Sequence, residues 1–328
     1  MIRALHRARD GTLRVDLQPD EFLTALQDPD ELLWVDFQAE PNETCEPILR
    51  DTFRFHPLAI DDALQEAHVP RVDDWQEYLY LVLHAVVFEQ RDGPHIDTLE
   101  LDVFQGPNYV VTHHDVPIPA IDQVWARCQR DERLVRAGAD HLFYELADHL
   151  VARYMPVTEA LDDAIDELEI EIFDRPTPDT LENLFLLRQA IIYLRRIIAP
   201  QREVFNKLAR DNYAAITAQE RVYFRDVYDH LVRLHDTSEG LRDLVSGAVD
   251  TYLSIVNNRL SDVMKTLTII TTLFMPASFL AGFFGMNFFT PSDPMEAATS
   301  QPMLLATLAI MALVPAAMLW YLHRRGWM

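Results

Sequence analysis

Two stretches of this 328-residue chain contain no Asp, Glu, Lys or Arg: residues 266–292 and residues 297–322. A helix of about 20 residues crosses the roughly 30 Å apolar core of a bilayer, so each stretch is long enough to span one. A single uncharged run can be the core helix of a soluble domain, but two in succession predict a pair of membrane spans. The mean hydropathy of −0.06 hides this division, because the formal charge of −24 lies almost wholly within the first 265 residues. Most of the chain is therefore an acidic, water-facing body. Such a surface disfavours nucleic acid and attracts cations.

The flanks set an orientation. Arg259 and Lys265 precede the first stretch, His323, Arg324 and Arg325 follow the second, and the segment between carries no basic residue. By the bias of Lys and Arg towards the cytoplasmic side, both termini are expected in the cytoplasm of a cell whose plasma (inner) membrane holds this multi-pass protein. Trp320, Tyr321 and Trp327 suit an interfacial aromatic belt. The N-terminus, MIRALHRARDGTLRVDL, has no apolar core of a cleaved signal. Cys45 and Cys128 are far apart and suggest neither a disulfide framework nor a thiolate metal site.

The segments TLRVDL (12–17), LLWVDF (32–37), EYLYLVLHAVVFE (77–89), TLELDVF (98–104) and YVVTHH (109–114) read as strands. The last two flank Gly106-Pro107-Asn108, a hairpin turn. Residues 57–67 and 119–133 read as helices, giving a mixed α/β domain. Beyond about residue 140 the pattern is helical throughout. Leu161, Ile165, Leu168 and Ile172 recur at helical spacing, as do Leu184, Leu187, Ile191, Leu194 and Ile198, with a Thr177 cap and Pro178 at the first helical position between the two runs. They predict an antiparallel hairpin whose first arm is strongly acidic. From about Arg221 to Phe284 one helix of roughly 60 residues is expected, about 90 Å long. Its near-heptad stripe, from Val227 through Leu231, Leu241 and Val249 to Leu260, needs identical neighbours, hence an oligomer.

Winding that helix at 100° per residue gathers Asp250, Asn257, Ser261, Met264, Thr271, Met275, Ser278 and Gly282 on one side. Val263, Ile269, Ile270, Leu273, Phe274 and Leu280 lie opposite. A water-lined pore accounts for that asymmetry. So does helix packing, since small and hydroxyl residues mark membrane interfaces. Asp250 favours the pore, as a carboxylate at its cytoplasmic approach.

The span ends in Phe284-Gly285-Met286-Asn287-Phe288, which resembles the Gly-Met-Asn signature of CorA-type magnesium transporters. FHPLAIDD (55–62), VPRVDDW (69–75), FRDVYDH (224–230), NNRLSDVMKTLTII (257–270), FMP (274–276) and HRRGWM (323–328) are similar to the same family in its usual order. The resemblance implies a homopentameric funnel, with cytoplasmic α/β domain 1–140, helical hairpin and stalk 141–265, membrane domain 266–322 and basic tail 323–328. Within the membrane domain the first span covers about 266–286, the outer loop about 287–301 and the second span about 302–322. It further implies a selectivity filter at Gly285, Met286 and Asn287, hydrophobic constrictions at Met264 and Met275, and a carboxylate ring at Asp250. Ser261 stands where the family often has Asn. Asp226 and Glu89 would form an inter-subunit regulatory Mg²⁺ site.

The function so implied is passive, potential-driven influx of Mg²⁺, with Co²⁺ and Ni²⁺ as further candidate ions, without a cofactor. The loop counterpart Pro294-Met295-Glu296 matches the family only loosely. A zinc-transporting branch is the alternative; Met286 favours the magnesium branch. The scattered histidines, His113 and His114 included, lack a metal-binding spacing in sequence. A membrane-anchored enzyme or ligand sensor is the remaining reading, and no HExxH, GxSxG, P-loop or Cys/His pair supports the enzyme.

Overall fold

The structure, a computed structural model, describes residues 1–15, 17–65, 69–90, 94–285 and 301–325. Seven strands build one sheet: β1 (Ile2–Arg7), β2 (Leu13–Val15), β3 (Leu32–Gln38), β4 (Arg71–Asp74), β5 (Leu79–Gln90), β6 (Pro94–Gln105) and β7 (Tyr109–His114), in the order β2-β1-β3-β7-β6-β5-β4. Every pairing is antiparallel except that of β3 with β7. β3, LLWVDFQ, lacks polar alternation because it is central and buried on both faces.

The short helices α1 (Phe22–Ala25), α2 (Asn42–Pro47) and α3 (Pro57–Ala63) contribute to the core on one face, where Val35, Phe37, Tyr80, Val82, Phe104 and Val111 gather. α4 (Pro119–Arg130), α5 (Glu132–Arg136) and α6 (Ala139–Ala152) follow the sheet. Trp34 meets Trp125 of α4 edge-on, with ring centroids 4.8 Å apart.

The expected strands are all present. So is the turn at Gly106, whose missing Cβ is required: a methyl there would lie 2.2 Å from the Tyr109 ring. Gly106→Ala is expected to lower stability by about 1–3 kcal/mol, as overpacking of a filled site does. Denaturant titration checks this, and a loss within about 0.3 kcal/mol of zero would show that the ring moves aside freely.

α7 (Tyr154–Asp174) and α8 (Pro178–Arg210) pack along each other. All nine periodic positions read from the sequence are buried. Thr177 caps α8 by accepting from Thr180 N, and the Thr180 hydroxyl donates to Glu171 at 2.6 Å, fixing the hairpin tip. α9 runs from Arg221 to Gly285, 65 residues, about 97 Å at 1.5 Å per residue. Its start is fastened to α6: Thr217 N donates to Asp140 at 3.0 Å, and His141 Nδ1 meets Glu220 at 3.0 Å. Further on, the Tyr252 hydroxyl donates to the Thr177 carbonyl at 2.9 Å. The apolar stripe is buried from Val227 to Val245, then emerges: Leu253, Val256 and Leu260 are exposed in the protomer.

The chain divides into two compact units, Met1–Tyr252 and Leu253–Met328. In the second, α10 (Gln301–Arg324) runs beside the later part of α9. A groove between them is lined by Ile269 and Thr272 from one helix and Val314, Ala317 and Met318 from the other. Both helices are long and apolar enough to cross a membrane. Hydroxyls in the α9 span bond back to their own helix: Thr268 to the Met264 carbonyl and Thr271 to that of Leu267. The hydroxyls are thus satisfied without any partner from outside the helix.

Candidate ion path and regulatory site

Asp250, Asn257, Ser261, Met264, Thr271, Met275, Ser278 and Gly282 occur as one row on α9, and it faces outward from the protomer along most of its length. The best-covered residue of the span, Ile269, belongs to the side that meets α10. The row extends from Asp250 to Gly282, about 48 Å of helix, so it forms a lining rather than a cluster. Gly285 is the last described residue of α9. Met286 and Asn287, like Asp293 and Glu296 of the loop, lie outside the described residues.

Asp226 lies in the first turns of α9, which the Thr217 and His141 bonds hold against α6. There it meets Asp148 of α6 and His230, one turn onward, and the three groups offer ligand atoms all within 4.8 Å of one another. His230 Nε2 stands 3.8 Å from Asp226 Oδ2, and its Nδ1 stands 4.0 Å from Asp148 Oδ1. Two carboxylates and an imidazole at this spacing can hold a divalent ion with water completing its shell. Glu89, on β5 opposite His95 of β6, is not a member of this group. Sequence reading finds Asp226 but misses its neighbours. His230, four residues later on the same helix face, is a local signal; Asp148 gives none.

The sheet buries further charge. Asp36, fully buried, accepts from Arg3 Nε at 2.8 Å and from the Thr112 hydroxyl at 2.5 Å, and lies 3.2 Å from His114 Nε2. Burial alone would raise its carboxyl, but the bond and charge of His114, with Arg3 and Thr112, hold it below the ordinary value. Burial likewise opposes the charge of His114, yet Asp36 raises it above the usual imidazole value. On the opposite face Asp102 accepts from the Tyr80 hydroxyl at 2.6 Å. Burial drives the Asp102 carboxyl up to about 6, against the pull of His113 and Tyr80.

The family model of the CorA-like Mg²⁺ transporter protein matches residues 29–324. The chain belongs to this family. It is 35% identical over 278 residues to the cobalt/magnesium transport protein CorA of Thermotoga maritima, covering 84% of this chain and 78% of that one. Among solved structures, the complete CorA magnesium transporter of Methanocaldococcus jannaschii superposes with a TM-score of 0.82 at 21% identity, covering 100% of this chain and 99% of that one. Full-length CmaX gives 0.75 at 25% identity, covering 98% and 96%. The α/β sheet domain followed by a long helix and a second C-terminal helix is thus the fold of a full-length CorA protein. As a member of this family the chain is a membrane transporter of divalent cations and not an enzyme.

Proposed function

We propose that this CorA-family protein is a passive channel for Mg²⁺, assembled as a homopentamer with both termini in the cytoplasm, the α9 rows facing a common axis. One observation carries the reading: a row of small, hydroxyl and thioether side chains runs along the span of α9, and the sequence continues directly into Gly285-Met286-Asn287. Around a closed ring the Met264 and Met275 side chains form apolar constrictions and Asp250 a carboxylate ring. Asn287 is the outer ring that first receives the ion. Mg²⁺ sheds its waters reluctantly, so amide oxygens that accept hydrogen bonds from those waters select it without trapping it. The membrane potential is sufficient drive, about 4.6 kcal/mol per 100 mV for a divalent ion. Co²⁺, carried with magnesium in the name of the Thermotoga maritima relative, and Ni²⁺ fit the same path.

Competitive uptake into proteoliposomes under an imposed inside-negative potential tests this. Mg²⁺ influx that rises with the potential, and that Co²⁺ and Ni²⁺ inhibit, is expected. Zn²⁺ uptake that Mg²⁺ leaves unchanged would assign the chain to a zinc-carrying function instead.

For gating, cytoplasmic Mg²⁺ bridges Asp226 of one subunit and Glu89 of its neighbour, with Asp148 and His230 close enough to share the ion. Filling that site offsets repulsion within the acidic assembly and holds the pore shut. Flux through Asp226→Lys should therefore persist at internal Mg²⁺ concentrations that silence the wild type, and unchanged inhibition would remove Asp226 from the mechanism.

A further inference from the structure

The sheet carries a set of imidazole and carboxylate side chains that lies apart from Asp226. On one face of β5, β6 and β7, His84 is paired directly across from Glu100, and Asp102 directly across from His113. These four residues line a cavity of about 200 Å³ that Ala63 and Gln65, at the end of α3, help to close. His113 is 2% exposed, yet neither ring nitrogen has a hydrogen-bond partner among the described residues, and the same holds for Nδ1 of His84. A buried imidazole in that condition forfeits about 1–3 kcal/mol for each unmet nitrogen, which is why buried polar groups are almost always satisfied. Something polar that fits the cavity is needed to complete them.

The separations say what kind of ligand. His113 Nδ1 stands 3.7 Å from Asp102 Oδ2, and His84 Nε2 stands 3.6 Å from Glu100 Oε2. A simple imidazole–carboxylate hydrogen bond would close to about 2.7–3.0 Å. Two donors of one first-row metal ion, bonded at about 2.0–2.2 Å and meeting at about 90–120°, stand roughly 2.8–3.8 Å apart. The Asp102–His113 pair is thus open by the amount that an ion between its members requires, and the His84–Glu100 pair is too open for a direct hydrogen bond and leaves room for water. The other oxygen of Asp102 is fixed by the Tyr80 hydroxyl at 2.6 Å, the outer bond that orients a metal-binding carboxylate. Imidazole donors suit Co²⁺, Ni²⁺ and Zn²⁺, whereas Mg²⁺ takes oxygen and water.

We propose that this cavity binds one divalent transition-metal ion through Asp102 Oδ2 and His113 Nδ1, with water completing its shell and held by Glu100 and His84. The ion is distinct from any at Asp148, Asp226 and His230. Binding is read directly, so the inference stands or falls independently of how the protein conducts.

The test is Co²⁺ titration of the full-length protein in detergent with Mg²⁺ in excess, followed by equilibrium dialysis and by the visible Co²⁺ spectrum. The background is Asp226→Ala, which removes a donor of the helical site. One Co²⁺ per protomer is expected to remain in that background. Adding His113→Gln or His84→Gln should weaken it at least about tenfold, the usual cost of losing a ligand or its outer partner. Zero Co²⁺ in Asp226→Ala would overturn the proposal, as would an affinity that neither glutamine changes. If His113→Gln no longer melts cooperatively, His84→Gln, on the cavity rim, decides alone: unchanged Co²⁺ affinity there refutes the site.

Discussion

Asp36→Ala is expected to destabilise the sheet unit by about 3–5 kcal/mol, the cost of removing one partner from a buried charge network. The carboxylate is fully buried and is the shared partner of Arg3, Thr112 and His114; Arg3 also reaches Asp122 at 2.8 Å and lies over the Trp125 ring. Without Asp36, Arg3, whose side chain is 11% exposed, keeps only Asp122 of its carboxylate partners, and His114, 1% exposed, loses its carboxylate partner. At about 2–4 °C per kcal/mol for a unit of this size, the midpoint should fall by roughly 6–20 °C.

Asp36→Asn separates charge from shape through pH. The folded carboxyl lies below its unfolded value, so its contribution is present above about pH 4 and is lost as pH falls through the folded pKa. The folded His114 lies above its unfolded value, so its contribution is complete below about pH 6.5 and is lost as pH rises through the folded pKa. The wild-type advantage over Asp36→Asn should therefore be widest between about pH 4 and 6.5 and narrow above it. An advantage equally large at about pH 9 would show that the network acts through packing rather than charge.

Much of the fold was legible because burial imposes a period on the sequence. Leu184, Leu187, Ile191, Leu194 and Ile198 repeat at helical spacing because all five are fully buried on one side of α8. β1 and β4 were missed for the opposite reason. Ile2–Arg7 places Arg3 and His6 among its apolar residues, Arg3 paired with buried Asp36 and His6 Nε2 2.7 Å from Glu31, which breaks the apolar pattern, and Arg71–Asp74 is a short polar edge strand. The same limit applies to sites. His230 is one helical turn from Asp226 and could be read locally, but Asp148 arrives only through the docking of α9 on α6. The pairing of His84 with Glu100 and of Asp102 with His113 is set by strand register, so their separation in sequence has no metal-binding spacing to recognise.

The largest functional effect is expected from Asn287→Ala. Asn287 lies near the end of the uncharged stretch 266–292, and the nearest charges after it are Asp293 and Glu296. Burial of an apolar helix gives no reason for an amide at that point, whereas a helix C-cap and an ion entrance both do. The two accounts differ in what alanine removes. A C-cap is worth about 0.3–1.5 kcal/mol to the end of a helix and would leave ion preference intact. An entrance ring is deprived, in every subunit, of a hydrogen bond to the ion's water shell worth about 0.5–1.5 kcal/mol. Removing three such bonds weakens ion binding by about 1.5 kcal/mol or more, roughly a factor of ten. Mg²⁺ influx into proteoliposomes holding Asn287→Ala should thus fall at least about tenfold, with weaker block by Co²⁺ and Ni²⁺. The amount of folded oligomer should match the wild type. Asn287→Gln keeps the amide and should recover part of the flux, since the carbonyl can still accept from a bound water, though from a position one methylene further in. Wild-type influx and ion preference in the alanine variant would reduce Asn287 to a helix cap and move selection down the row, to the constrictions at Met264 and Met275 or the carboxylate at Asp250.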